Sequence, residues 1–355
     1  MPLWAWLSPI AAAALLIAGL VLPVAVALGA TCLAALIGAV LAAVHHAEVV
    51  AHRVGEPLGT LVLAVSITII EVALIVMLML AGGPDKATLP RDTIFSAIMI
   101  ICNGVVGLCL LIGGLRYHEQ SFQIDGANTG LATLIALTTL SLVLPAFTTS
   151  SAGSTYTVTQ LTFASIASLV LWAMFVFVQT VRHRDYFLPT HDVADEDSHA
   201  PPPSARIARA SFALLFVSLI AVVGLAKVLS PSIEAGLAAA GAPKAVLGIA
   251  IALLVLLPET WAAARAARAN RLQTSLNLAF GSALASIGLT IPAVAFTSVL
   301  IGVPLILGLE PKDLVLLVLT FLVSSITLVS GRTHVMQGAI HMVVFAAFLF
   351  LALVP

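Results

Sequence analysis

The chain has 355 residues, of which 61% are hydrophobic and only 9% charged, and its mean hydropathy is +1.15. That is too little polar surface to cover a water-soluble globule of this length, so the composition specifies an integral membrane protein. A net charge of -1 offers no basic face for nucleic acid, and Cys32, Cys102 and Cys109 sit in apolar segments without metal-type spacing, where they read as small core residues.

In chain order, Leu3 to Leu28 is apolar and ends in small residues, but no Lys or Arg precedes Arg53. The basic region of a signal peptide is therefore missing, and 1–28 reads as a retained first helix. The second span, 29–50, closes in the polar cluster His45, His46, Glu48, His52 and Arg53. Spans 58–81, 93–115, 129–147 and 158–181 follow, with the turn-rich linkers Gly82-Gly83-Pro84-Asp85 and Asp125-Gly126-Ala127-Asn128 between them. Each run is close to the ~20 apolar residues that a helix needs to cross the hydrocarbon core. The long polar segment 182–209 carries Asp192, Asp195, Glu196, Asp197 and Pro201-Pro202-Pro203, the composition of a solvated loop. Beyond it lie spans 210–229, 245–264, 274–302, 313–330 and 334–354.

The expected fold class is all-α, with about eleven transmembrane helices: one extra N-terminal helix and two five-helix sets, 29–181 and 210–355, joined by the acidic linker 182–209. An odd number of spans per set forces the sets into opposite orientations, the layout of an inverted-repeat transporter. Lys and Arg set the orientation. With the N-terminus cytoplasmic, inner connectors collect Arg53, Arg116, Arg182, Arg184, Arg206, Arg209, Arg265, Arg268, Arg271 and Arg332, against Lys86, Arg91, Lys227, Lys244 and Lys312 outside. The linker then faces the cytoplasm.

Two acids interrupt this pattern. Glu71 lies near the centre of the run Leu58 to Leu80, and Glu259, preceded by Pro258, lies at a similar depth in Val246 to Ala264. An ionised carboxylate in a bilayer costs about 2.5 kcal/mol or more, so an acid there needs a function or a partner. Two such carboxylates at close quarters repel each other and are desolvated, and at least one holds a proton when no cation is present. Hard cations such as calcium and sodium take oxygen ligands. Pro258 has no N–H for the carbonyl of Leu254, which makes that oxygen an expected extra ligand in an interrupted helix. Cation and protons then compete for the same oxygens.

Each of these residues has a plainer reading. The acids could be a structural pair bonded to hydroxyls, or the selectivity ring of a cation channel. Thr68, Ser282 and Ser286 could be packing residues at tight helix contacts, and Asn103 interhelical glue. His45 and His46 read as interfacial or packing residues. His334 and His341 share a helical face at spacing seven but lack a third ligand nearby. An intramembrane hydrolase is the remaining alternative, but the zinc-protease and nucleophile-elbow motifs are absent from the sequence.

Several stretches, in order, resemble the ChaA-type antiporters, the bacterial calcium/proton and sodium/proton exchangers related to the CAX cation/proton exchangers of the calcium/cation antiporter superfamily. They are His52-Arg53-Val54-Gly55-Glu56-Pro57 leading to Ile69-Ile70-Glu71-Val72, then Val178-Gln179-Thr180-Val181-Arg182-His183, Pro258-Glu259, Asn277-Leu278-Ala279-Phe280-Gly281-Ser282 and Ser330-Gly331-Arg332-Thr333-His334. The resemblance covers about residue 45 onward. It implies ten helices in two inverted repeats plus the extra N-terminal helix, with the ion bound midway between the acid-bearing helices. It also implies cation and proton binding by Glu71 and Glu259, an amide at Asn103 and a polar position at Ser282; Thr68 and Ser286 are weaker candidates from their own hydroxyls and not from the resemblance. Thr68-Ile69-Ile70 replaces the Gly-Asn-Ala-x run of the wider CAX group and Ala285 stands in place of a glutamine, so oxygens near the ion are lost. The expected function is secondary antiport of calcium, sodium or potassium against protons in a bacterial inner membrane. The expected partners are inorganic cations, protons and the bilayer, with no cofactor.

The four acids from Asp192 to Asp197 in the linker have no regular spacing and no glycine at a loop apex, unlike an EF-hand. Replacing Asp192 through Asp197 by Asn and Gln at equal length should leave maximal exchange and the half-maximal calcium concentration unchanged in reconstituted vesicles. A calcium-selective loss of affinity would instead make the linker a divalent-cation sensor.

Overall fold

In the computed structural model, residues 2–22, 26–55, 58–188, 203–239, 241, 243 and 245–354 are described. The acidic stretch Asp192 to Asp197 with His191 and His199, and Glu56-Pro57 of the motif before Glu71, lie outside them. The chain is all-α and integral to the membrane, with eleven long helices: α1 (Leu3–Val21), α2 (Val26–Val54), α3 (Leu58–Gly82), α4 (Leu89–Tyr117), α5 (Ile124–Ala146), α6 (Val158–Arg182), α7 (Ala205–Ala239), α8 (Ala245–Arg268), α9 (Leu272–Ile301), α10 (Pro311–Val329) and α11 (Val335–Leu353). Ten pass as membrane spans by length and apolarity. Three are wound locally as π-helix: α4 at Ile100–Val105, α5 at Thr139–Val143 and α6 at Val178–Arg182.

The helix bounds correct the sequence reading in four places. The first helix ends at Val21, not Leu28, and α2 continues past the polar cluster at His45 to Val54. Residues Asp125 to Asn128, read as a turn, form the first turn of α5. Their glycine serves close approach instead: a side chain on Gly126 would collide with the Tyr186 carbonyl. Finally, α7 takes in Pro231 and extends well beyond 210–229, so Lys227 stands inside a helix and not in a connector.

The helices form two compact units, each drawing on both halves of the chain. One contains α1, α2, α3 and α7. Here His46 Nε2 lies 2.8 Å from the Ala5 carbonyl and His45 packs on the Trp4 ring, so both histidines fasten α1 to α2. The seam is completed by Gly38 against Ser8 and by Gly19 and Gly224, which let α1 and α7 approach.

The other unit contains α4–α6 and α8–α11 and is built around α4, whose central residues are almost all buried. At one end, β1 (Glu119–Ser121) pairs antiparallel with β2 (Arg332–His334). Amide side chains bind the neighbouring connectors: Gln120 donates to Asn270 at 2.8 Å, Gln273 accepts from the Gln123 N–H at 2.7 Å, and Asn277 donates to the Phe187 carbonyl at 2.6 Å. At the other end, backbone N–H groups of Ile306, Gly308 and Leu309 reach Ala87, Ser154 and Leu142, and Arg91 donates to the Gly308 carbonyl and to Asp92. The connectors thus satisfy their polar groups on one another, as the edge of a low-dielectric environment requires.

The crossing of α4 and α11 depends on Gly107, Gly114 and Gly338. A Cβ on Gly338 would sit 2.5 Å from the Leu111 backbone nitrogen, and one on Gly114 at 2.5 Å from that of Val335. Backbone cannot yield as a side chain can, so Gly338→Val should cost about 2 kcal/mol or more of stability. Gly236→Ala, at an exposed helical position with open space around it, should be neutral or stabilising by about 0.5 kcal/mol. Thermal unfolding in detergent checks both, and equal effects would refute backbone contact as the cause.

Candidate ion-binding site

In the first unit, α3 carries Glu71, only 2% exposed, with Thr68 buried three residues earlier on the same helical face. Ser66 returns its hydroxyl to the Val62 carbonyl at 2.7 Å, so it satisfies itself within the helix. The helix packs on α2 and α7, and Ile70, Leu74 and Ile75 on it are buried as well.

In the second unit, α8 carries Pro258-Glu259, α9 carries half-buried Ser282 and buried Ser286, and α4 carries Asn103 at 0% exposure. Both α8 and α9 pack against the π segment that holds Asn103. The structure thus places Glu259, Asn103, Ser282 and Ser286 on mutually packed helices of one unit, and Glu71 with Thr68 on α3 of the other.

One expectation changes form. Helix α8 is not interrupted at Pro258 but runs helically from Ala245 to Arg268. The Leu254 carbonyl still lacks its usual N–H partner, because proline has none to give. The irregular winding is instead in α4, at Ile100–Val105. Such π turns shift the carbonyl and side-chain register and recur at functional sites.

Around Asn103 the structure shows residues that the sequence reading did not assemble. The Asn103 amide nitrogen donates to Thr320 Oγ1 at 2.9 Å, and its carbonyl oxygen lies 3.1 Å from His341 Nδ1. His341 Nε2 lies 3.2 Å from Thr327 Oγ1, and Thr320 donates in turn to the Leu316 carbonyl at 2.7 Å. All four side chains are buried. His334 does not share a helical face with His341, because it stands before α11 and caps its start by accepting from the Met336 N–H. The available signal was Thr320 and Thr327, two hydroxyls seven residues apart and so on one face of α10.

Chemically, the arrangement offers carboxylate, hydroxyl and amide oxygens inside apolar helices, the donor set of a hard cation. The chain matches the family described as sodium/calcium exchanger protein over residues 12–181 and 210–354. It is 48% identical over 361 residues to y4hA of Sinorhizobium fredii, a candidate ionic transporter, covering 100% of this chain and 97% of that one. It is also 36% identical over 330 residues to the sodium-potassium/proton antiporter ChaA of Escherichia coli, covering 92% and 89%. The fold resembles the solved structure of native YfkE with a TM-score of 0.75 at 18% identity, over 99% of this chain and 100% of that one. The protein is therefore a membrane transporter and not an enzyme, and it belongs to the sodium/calcium exchanger family, among its ChaA-type antiporters.

Proposed function

We propose that the protein exchanges a cytoplasmic cation, calcium or sodium with potassium as a further substrate, for protons by alternating access. The observation that carries this reading is Glu71, a carboxylate 2% exposed in the middle of the apolar helix α3. Glu259 is its counterpart in the second half of the chain. Sodium, potassium and protons are what the Escherichia coli relative is named for, and calcium enters through the family description.

In this reading Glu71 and Glu259 bind cation and protons competitively, with Asn103, Ser282, Thr68 and Ser286 supplying further oxygens. A divalent cation against two protons leaves the carboxylates nearly neutral in both loaded states, which keeps the cost of passage through the bilayer low. The repeats, 29–181 and 210–355 in the sequence reading, each supply one acid-bearing helix, with α1 as an added helix and the segment between α6 and α7 as the tether. Cation and protons are cargo, and no resident cofactor is involved. The N-terminus and the tether face the cytoplasm of a bacterial inner membrane. That orientation follows from the Lys and Arg bias of the helix ends and connectors, which is arginine-rich on the inner side.

Glu71→Gln and Glu259→Gln should each abolish proton-coupled cation flux in vesicles containing a pH dye, because the isosteric amide keeps shape but cannot cycle charge. Insertion and unfolding temperature should stay near those of the parent protein, and near-normal exchange by either variant would refute the two-acid mechanism.

The shared oxygens also fix a sign for pH. Protons leave as the cation binds, so apparent cation affinity should rise with pH, by up to about tenfold per unit for each proton displaced, and level off once both acids are ionised. Tracer binding to the detergent-solubilised protein measures this directly, and a flat profile would require separate sites.

A further inference from the structure

The chain of hydrogen bonds through Asn103 allows one assignment of its protons. The Leu316 carbonyl can only accept, so at 2.7 Å it takes the single hydroxyl proton of Thr320. Thr320 Oγ1 is then an acceptor for its other neighbour, and the Asn103 amide must present its NH2 group there, at 2.9 Å. That turns the Asn103 carbonyl oxygen toward His341. A carbonyl can only accept, so His341 Nδ1 carries the proton across the 3.1 Å contact. In the neutral ring Nε2 is then an acceptor, and Thr327 donates to it across 3.2 Å.

The network begins and ends on α10, where Thr320 and Thr327 lie about two turns apart on one face. Between them they hold one side chain from α4 and one from α11. Asn103 and His341 are both 0% exposed, so no water competes for these bonds in the structure's packed core. His341 Nδ1–H uses one lone pair of the Asn103 carbonyl and leaves the second for another partner.

We infer that His341 is a positioning residue for cation binding: its Nδ1–H, in a ring held at Nε2 by Thr327, fixes the Asn103 carbonyl oxygen that a cation meets. This inference rests on the reading of Asn103 as a cation-binding residue. The imidazole acts through Asn103 and carries neither cation nor transported proton. Outer groups of this kind typically change metal affinity by 10–100-fold when removed, because the ligand they orient becomes free to turn.

The test separates the two ring nitrogens. In His341→Asn the side-chain amide occupies the place of Nδ1 and can still donate to Asn103. In His341→Gln it occupies the place of Nε2, is closer to histidine in volume, and reaches Thr327 instead. Sodium- and calcium-driven exchange is measured in vesicles with equal amounts of inserted protein. His341→Asn should keep the cation KM within about twofold, while His341→Gln and His341→Ala should raise it about tenfold or more with kcat nearly unchanged. Equal behaviour of the Asn and Gln variants, or a loss confined to kcat, would overturn the inference, since packing alone favours glutamine.

Asn103→Ala is the control for the underlying reading. An unchanged KM there removes Asn103 from the cation site and the inference with it, whereas a raised KM beside a normal His341→Gln rejects the positioning role alone. Should the His341 variants fail to insert, Thr327→Val tests the same claim from the other side of the ring. Without the bond at Nε2 the ring is less firmly held, so His341 should then hold Asn103 less well and the KM rise about threefold, and an unchanged KM would contradict the inference.

Discussion

The constraint on which this structure depends is that a polar group inside hydrocarbon must find its partner within the protein. It explains why Ser66, Thr260 and Thr297 return their hydroxyls to the carbonyl one turn earlier. It also explains why His46 reaches across to the Ala5 carbonyl, and why the connectors of the larger unit are joined by Gln120, Gln273, Asn277 and Arg91. Against that background a carboxylate deep in a helix is costly to keep. Under the proposed exchange its retention is intelligible, because the carboxylate also binds the transported species, alternately a cation and protons.

Packing supplies the rigidity that such a site needs. With lipid on the outer faces, there is little hydrophobic gain in bringing helices together, so association depends on close contact. The glycines of α4 and α11 allow that contact, and the bonded set Asn103, His341, Thr320 and Thr327 lies in the same region. The π segment around Asn103 is the one place in α4 where the backbone departs from regular winding. Asn103 stands in that segment, and side chains of two neighbouring helices hold it in place.

Much of the fold was legible because it is written in one dimension: a run of apolar residues of the right length is a membrane helix whatever surrounds it. The boundaries were less legible where tertiary contacts decide them. His45 to Arg53 reads as the polar end of a span, yet the helix continues because His46 and His45 pack on α1. Asp125-Gly126 has the composition of a turn, and only the Tyr186 carbonyl beside Gly126 shows that the glycine allows close packing inside a helix. Glu71 and Glu259 stood out for the same one-dimensional reason as the helices, as charges in apolar runs. His341 did not, because its partner Asn103 is 238 positions away and an isolated histidine in an apolar helix carries no mark of what it will meet. The π winding at Ile100–Val105 has no sequence signature that separates it from ordinary helix.

The central claim is that cation and protons occupy the same carboxylates in turn. It is tested most directly by adding calcium or sodium to the purified protein in weakly buffered detergent solution containing a pH dye, with bound cation measured in parallel. The account predicts that protons appear in solution as the cation binds, between about one and two per calcium ion near neutral pH. Stoichiometric cation binding with no proton released at any pH would contradict it.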